Sequence, residues 1–229
     1  MTRIRRKSFL NATTGFNSAG LALAVLLGLA FGGAPPSAAE SVRVKYINDG
    51  DTVQLVDGRP VRYIGVNAPE IDHARQTAQP FGLEARALNL ELVANQTVRL
   101  EYDLERLDNY GRTLSYVFLR DGSMVNEQLL QSGLAFCLLT LPNVKYEDRL
   151  LAAQRAAMRA GRGMWKGWRE ESGRFVGNRN SRRFHLANCP EAKRIAPRNR
   201  ILFVKRWDAF WAGYSPSREC LADFPMAAD

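Results

Sequence analysis

The sequence predicts a small β-barrel with helices packed at its side, an α+β architecture, followed by a compact basic module. Three observations predict it. Short apolar segments between residues 42 and 119 alternate with period two, and others near 81–92, 125–130 and 146–157 step by three and four residues. The charge balance also changes along the chain: residues 40–171 hold 17 basic and 18 acidic side chains, whereas 172–229 hold 11 and 5. Of the 229 residues, 46% are hydrophobic and 24% charged, which excludes a disordered chain, a collagen-like fibre and a multi-span membrane protein. Three cysteines are too few for a disulfide scaffold.

The elements follow in order. Val42, Val44 and Tyr46 alternate with Arg43, Lys45 and Ile47, and Val53 and Leu55 continue the pattern beyond Asp51. Asp57-Gly58 between Val56 and Pro60 predicts a tight hairpin. Val61–Val66 reads as a third strand, Thr97–Tyr102 and Leu114–Leu119 as two more. Phe81, Ala85, Leu88 and Leu92 make one helical face. Val125, Leu129 and Leu130 mark a second helix closed by Gly133, and Tyr146, Leu150, Ala153 and Ala157 a third ended by Gly161 and Gly163. Five strands with three helices suggest a five-stranded OB-fold barrel over residues 40–171. Residues 172–229 are then a small α/β-type C-terminal module.

Residues 1–39 read as an address. Arg3, Arg5, Arg6 and Lys7 precede an apolar run of eleven residues, Leu21–Phe31, and the small residues Ser37, Ala38 and Ala39. This is the pattern of a secretory signal peptide cut after Ala39, and it places the mature protein in the periplasm or outside the cell. An uncleaved anchor would need roughly 20 apolar residues.

Polar residues gather at three turns. Asp49-Gly50-Asp51-Thr52 offers two close carboxylates for a hard cation, with glycine permitting a sharp turn. Gly65-Val66-Asn67-Ala68-Pro69-Glu70 runs from a buried strand to a carboxylate, with Pro69 placed to aim Glu70 across the barrel mouth. Asp108-Asn109-Tyr110-Gly111-Arg112 is a hairpin turn that presents an arginine. Arg62 and Asn67 lie five residues apart and point to opposite faces of a regular strand, so both can serve one site only if the strand bends near Gly65. Oxygen donors, a free carboxylate and two arginines are the parts that phosphodiester hydrolysis requires. His73, after the Glu70 loop, reads as a surface histidine.

In this order and spacing, residues 42–165 resemble a staphylococcal nuclease (thermonuclease) domain. The resemblance is carried by Asp49-Gly50-Asp51-Thr52, Val61-Arg62, Pro69-Glu70, Phe81-Gly82-Leu83-Glu84-Ala85, Asp108 to Arg112, Asp121 to Glu127 and Gly133-Leu134-Ala135. It implies an OB-fold barrel with three helices that cleaves DNA and RNA with Ca²⁺, leaving 5′-hydroxyl and 3′-phosphate ends. By position, Asp51 resembles the metal carboxylate, Glu70 the group that deprotonates the attacking water, and Arg62 and Arg112 the phosphate-binding arginines. Asn67 stands where the family usually has a second metal aspartate, so Ca²⁺ binding should be weak. Leu138-Leu139-Thr140-Leu141 occupies a stretch where tyrosines contact the nucleotide in the family's best-known member. Tyr110 is a further candidate contact.

The tail resembles a small metal-binding module found in DNA-repair methyltransferases. His185, Cys189 and Cys220 fit its pattern, while Ser217 stands where a fourth ligand, cysteine, is expected. Three soft ligands leave a Zn²⁺ site, a Cys189–Cys220 disulfide and unbonded thiols all open. Cys137, between Phe136 and Leu138, reads as a buried thiol. Phe184, Phe203, Trp207, Phe210, Trp211 and Tyr214 read as the module's core, with Arg182, Arg183, Arg198 and Arg200 outside it as phosphate contacts. The functional expectation is an exported Ca²⁺-dependent nuclease acting on DNA and RNA. The alternative is a nucleic-acid-binding protein that keeps the barrel without turnover.

Overall fold

A computed structural model describes residues 39–72, 74–75, 77–170 and 173–221. His73 and all of the predicted signal except Ala39 lie outside the described residues. Strands β1 (Ala39–Ile47), β2 (Thr52–Leu55) and β3 (Pro60–Tyr63) are followed by β4 (Gly65–Asn67) and the short pair β5 (Ile71–Asp72) and β6 (Thr77–Ala78). Helix α1 (Gly82–Val93), strands β7 (Thr97–Glu101) and β8 (Thr113–Phe118), α2 (Val125–Gln131), β9 (Phe136–Leu138) and α3 (Glu147–Ala160) complete this part. The five expected strands close into a barrel in the order β1-β2-β3-β8-β7. All contacts around it are antiparallel except β3 against β8, where Val61, Arg62 and Tyr63 face Thr113, Leu114 and Ser115 in parallel.

Two strands depart from strict alternation. The register of β1 slips between Val44 and Tyr46, so one extra residue enters the ladder. Beyond that bulge Ile47 faces the core and Tyr46 is exposed, with the Arg86 guanidinium over its ring. The expected strand Val61–Val66 breaks after Tyr63, because Gly65 adopts a φ of +78° that other residues rarely take. The chain then leaves the barrel wall as β4 and pairs with β9, Asn67 opposite Phe136. In α1 the fully buried stripe is Ala85, Asn89 and Val93, with Leu88 and Leu92 half-buried beside it. The face is rotated from the apolar pattern because Asn89 is taken inward by hydrogen bonds.

Glu101 on β7 is buried and accepts hydrogen bonds from Arg99 at 2.9 Å, Tyr146 at 2.7 Å and Lys145. Burial raises its carboxyl, but the bonds from Lys145, Arg99 and Tyr146 outweigh that and hold it at about 2. A depressed carboxylate stabilises the fold fully above its unfolded value and loses that contribution as pH falls toward the folded value. Between about pH 5 and pH 2 the protein should therefore lose on the order of 2 kcal/mol from this residue, allowing for screening of the partly exposed cations. Urea unfolding across that range, compared with Glu101→Gln, checks this; equal pH slopes in the two proteins would refute it.

The tail forms a four-stranded sheet in the order β12-β10-β11-β13, built from β10 (Phe175–Asn178), β11 (Arg183–Leu186), β12 (Arg200–Phe203) and β13 (Ser215–Pro216). Helices α4 (Pro190–Arg194), α5 (Arg206–Trp211) and α6 (Arg218–Leu221) accompany it. The aromatics form a core, as their number in so short a segment suggests. Phe184, Phe203, Phe210 and Tyr214 are buried, with Trp207 and Trp211 packed against them. This core is shared with the barrel part through Phe136, Ala157, Met158 and Trp165. Gln154 donates to the Phe210 carbonyl at 2.6 Å and Arg155 to that of Trp211 at 2.9 Å, so α3 is bolted to α5 by polar contacts as well. Cys137 is buried, and that burial pushes its thiol up.

Candidate active site

The Asp49–Thr52 turn lies against α1, and Gly50 is needed there for space. The chain turns here as expected, with the Asn48 N–H donating to the Thr52 carbonyl at 3.0 Å, but Gly50 does so without a positive φ; a Cβ on it would lie 2.5 Å from the Ala68 Cβ and 2.7 Å from that of Ala85. Asn89 fixes the turn by donating to the Asp49 carbonyl at 3.0 Å while accepting from the Tyr63 hydroxyl at 2.9 Å. Asp51, 5% exposed, accepts from the Ala68 N–H at 2.6 Å and the Thr52 hydroxyl at 3.1 Å.

The bend at Gly65 brings Arg62 and Asn67 together. The Arg62 guanidinium donates to the Tyr63 and Val66 carbonyls, both at 2.7 Å, and to the Asn67 side-chain oxygen at 3.1 Å. It also pairs with Asp51 at 3.1 Å. Arg62 thus braces the kink that positions its own partners. A Cβ on Gly65 would lie 2.4 Å from Leu150 Cδ1, so the bend is closed to other residues by packing as well as by φ. Asn126, fully buried, locks the same corner by donating to the Ile64 carbonyl at 2.8 Å and accepting from the Val117 N–H at 2.9 Å.

Glu70 follows Pro69 and is exposed. Its N–H donates to the Gln79 side chain and its carbonyl accepts from the Gln79 N–H, each at 2.9 Å. Gly82, at the start of α1, allows the helix to approach this loop, since a Cβ there would meet the carbonyls of Glu70 and Pro69 at 3.1 and 3.2 Å. Arg112 is held by its own turn: its Nε donates to Asp108 at 2.7 Å and its guanidinium lies over the Tyr110 ring, 5.5 Å from the centroid. Burial would raise the Asp108 carboxyl, but bonds from Arg112 and Tyr110 hold it below the usual range, so the pair stays charged.

A single cleft of about 950 Å³ is lined by Asp51, Arg62, Asn67, Glu70, Tyr110 and Arg112. These candidates therefore converge, although they come from three separate turns. Among the tail arginines whose side chains are described, only Arg183 and Arg194 line the cleft. Arg182 pairs with Glu147 at 3.3 Å, and Arg198 and Arg200 are exposed outside the lining, Arg200 bonding to the Ile195 carbonyl at 2.7 Å.

Such an arrangement suits attack on a phosphodiester: a carboxylate to take a proton and guanidinium groups to neutralise phosphoryl charge, in one walled space. A family model described as staphylococcal nuclease homologue matches residues 60–167. The chain is 40% identical over 129 residues to the thermonuclease of Staphylococcus hyicus, covering 55% of this chain and 76% of that protein. It is 42% identical over 130 residues to the thermonuclease of Staphylococcus intermedius, covering 56% and 77%. Endonuclease YncB of Bacillus subtilis is 42% identical over 106 residues, 44% of this chain and 50% of the relative.

The chain belongs to the staphylococcal nuclease family. It is a nuclease, and nucleic acid is its substrate.

For this nuclease the cleft also answers whether a divalent cation suits it. Asp51, Asn67 and the neighbouring Asp49 present oxygen donors of the kind Ca²⁺ takes. Burial pushes the Asp51 carboxyl up, with the Arg62 guanidinium beside it acting in the opposite direction. The donor set fits. In the tail, Cys189 and Cys220 form a disulfide, with His185 Nδ1 3.5 Å from the Cys220 sulfur. The three ligand atoms lie within 4.8 Å of one another, but zinc takes thiolates, and the bond uses both sulfurs. Sequence reasoning held Asn126 only as part of the Asp121–Glu127 motif, without a role, and missed Asn89 and Arg194. An amide on the buried face of an apolar helix stripe was the one available signal for Asn89; Arg194 had none.

Proposed function

We propose that this nuclease hydrolyses phosphodiester bonds of DNA and RNA with Ca²⁺, giving 5′-hydroxyl and 3′-phosphate ends, and that it acts after export. The observation that carries the catalytic reading is the Asp51–Arg62–Asn67 cluster opening into the same cleft as Glu70 and Arg112. Glu70 takes a proton from a water that attacks phosphorus. The water oxygen bonds to phosphorus, the bond to the 5′-oxygen breaks, that oxygen takes a proton from solvent to become the 5′-hydroxyl, and the 3′-oxygen keeps the phosphate. Arg62 and Arg112 offset the charge that builds on the phosphoryl oxygens. Asp51 and Asn67 would hold Ca²⁺, which when bound adds positive charge at those oxygens. Labelled DNA and RNA oligonucleotides, incubated with Ca²⁺ or a chelator, test this by their ends. Cleavage that persists in chelator, or that leaves 5′-phosphates, would overturn it.

The metal assignment has a separate test. Asn67→Asp restores a second negative charge and should tighten Ca²⁺ about tenfold, measured by calorimetric titration with Ca²⁺ alone. An unchanged affinity removes Asn67 from the metal. Export rests on the basic, apolar and small-residue order of residues 1–39. Protein recovered from outside the cytoplasm should begin at Glu40 on N-terminal sequencing; recovery of the intact chain in the cytoplasm alone would contradict it.

A further inference from the structure

The cleft has lining that does not come from the barrel. Asn178, Ser181, Arg183 and His185 from the β10–β11 hairpin, with Arg194 and Ile195 from the end of α4, face the same space as Asp51, Glu70 and Arg112. We propose that the C-terminal module is a built-in second wall of the active site, and that Arg183 and Arg194 hold the phosphates of a single nucleic-acid strand flanking the scissile one. This rests on the cleft being catalytic.

Three observations support the wall. The module is fixed in place: it shares an aromatic core with Phe136 and Trp165, bonds α3 through Gln154 and Arg155, and pairs Arg182 with Glu147. Its cations are also pre-positioned. Arg183 donates to the Pro216 carbonyl at 3.2 Å, and Arg194 pairs with Glu191, another cleft residue, at 2.7 Å while its side chain stays 76% exposed. Finally, the barrel part alone is poorly equipped to retain a polyanion. Residues 40–171 carry 17 basic and 18 acidic groups, and of the two tyrosines that this part contributes to the lining Tyr63 is buried, which leaves Tyr110, 84% exposed, as the ring open to stacking beside Leu138 and Leu141. One ring gives little stacking, so affinity has to come from charge on phosphates, and the module brings that charge to the cleft.

A volume of about 950 Å³ lies at the top of the range of roughly 300–1,000 Å³ for small-ligand sites. It accommodates a few units of one strand between two walls. The expected signature is a chain-length effect: contacts from Arg183 and Arg194 count only when the substrate extends past the reacting linkage.

The test uses the full chain, because removing residues 172–229 would bare the shared core. Cleavage of single-stranded DNA oligonucleotides of two to twelve nucleotides is compared in wild type, Arg183→Ala/Arg194→Ala and Arg183→Lys/Arg194→Lys. Binding of the twelve-mer is measured against salt in each, on a Glu70→Gln background. The alanine pair should raise KM for the twelve-mer about tenfold, with the effect shrinking as the oligonucleotide shortens. It should also flatten the slope of log affinity against log salt by about 1.4, the release expected for two single-strand phosphates. The lysine pair should keep the slope, and Arg198→Ala/Lys205→Ala, which removes the same charge outside the cleft, should change neither quantity. An equal loss in that control pair would assign the effect to diffuse charge and overturn the wall. So would an unchanged KM and slope in the Arg183/Arg194 alanine pair. If Glu70→Gln still cleaves, the reading of the cleft as catalytic falls instead.

Discussion

Replacing Glu70 by Gln should reduce cleavage by about 10²–10⁴-fold, the usual worth of a positioned general base. The amide keeps the shape of the side chain but cannot accept the proton of the attacking water. The two bonds between this loop and Gln79 are made by the backbone of Glu70, so the substitution leaves those two in place. Stability should accordingly stay within about 0.5 kcal/mol, as for other exposed positions. A zymogram with Ca²⁺ and other divalent ions, followed by single-turnover rates, reads the effect. A variant that keeps a tenth of wild-type turnover would show that another group takes the proton.

Arg62→Ala should damage both catalysis and the fold. The guanidinium lost would have neutralised phosphoryl charge, a contribution of about 10²–10³ in rate for one electrostatic donor. The same group bridges the carbonyls of Tyr63 and Val66 and pairs with buried Asp51. Breaking such a pair from one side costs about 3–5 kcal/mol, since the remaining carboxylate is left buried without its partner. Arg62→Met combined with Asp51→Leu separates the two roles: it should recover much of the stability and none of the activity. Urea midpoints and single-turnover rates on the three proteins decide it. Full stability in Arg62→Ala would mean that the kink is held without the arginine.

How legible these features were in the sequence depended on how local their causes are. The five strands and three helices follow from side-chain period, because burial of one face is decided every two or every three to four residues. The slip in β1 is different. Tyr46 satisfies the alternation as well as Ile47 does, and only the pairing with β2 determines which of them turns inward. Asn67 gave a partial signal: the sequence required a bend if it was to meet Arg62, and Gly65 was the residue able to supply one. The φ of +78° at that position, the Leu150 methyl against its Cα, and the clamp from Asn126 are consequences of elements that lie 61 or more positions away. Gly50 marked a turn that the structure contains, but a glycine beside aspartates reads as a turn whether its lack of a Cβ serves rotation or close packing, and here it serves packing. The four tail arginines chosen by charge alone are spread over different surroundings, and Arg183 is the one among them that lines the cleft.

By itself, the sequence determined the barrel with its helices, the nuclease family and the residue types of the reacting groups. Each of these is written in short-range pattern: apolar period, turn glycines, and polar residues at turns in a particular order. Tertiary structure decided that Arg62 braces the bend it depends on, and that the basic tail, held by a shared aromatic core, contributes to the lining of the cleft. Those outcomes depend on which surfaces meet across long stretches of chain, and contact between distant residues is set by packing of whole elements against one another.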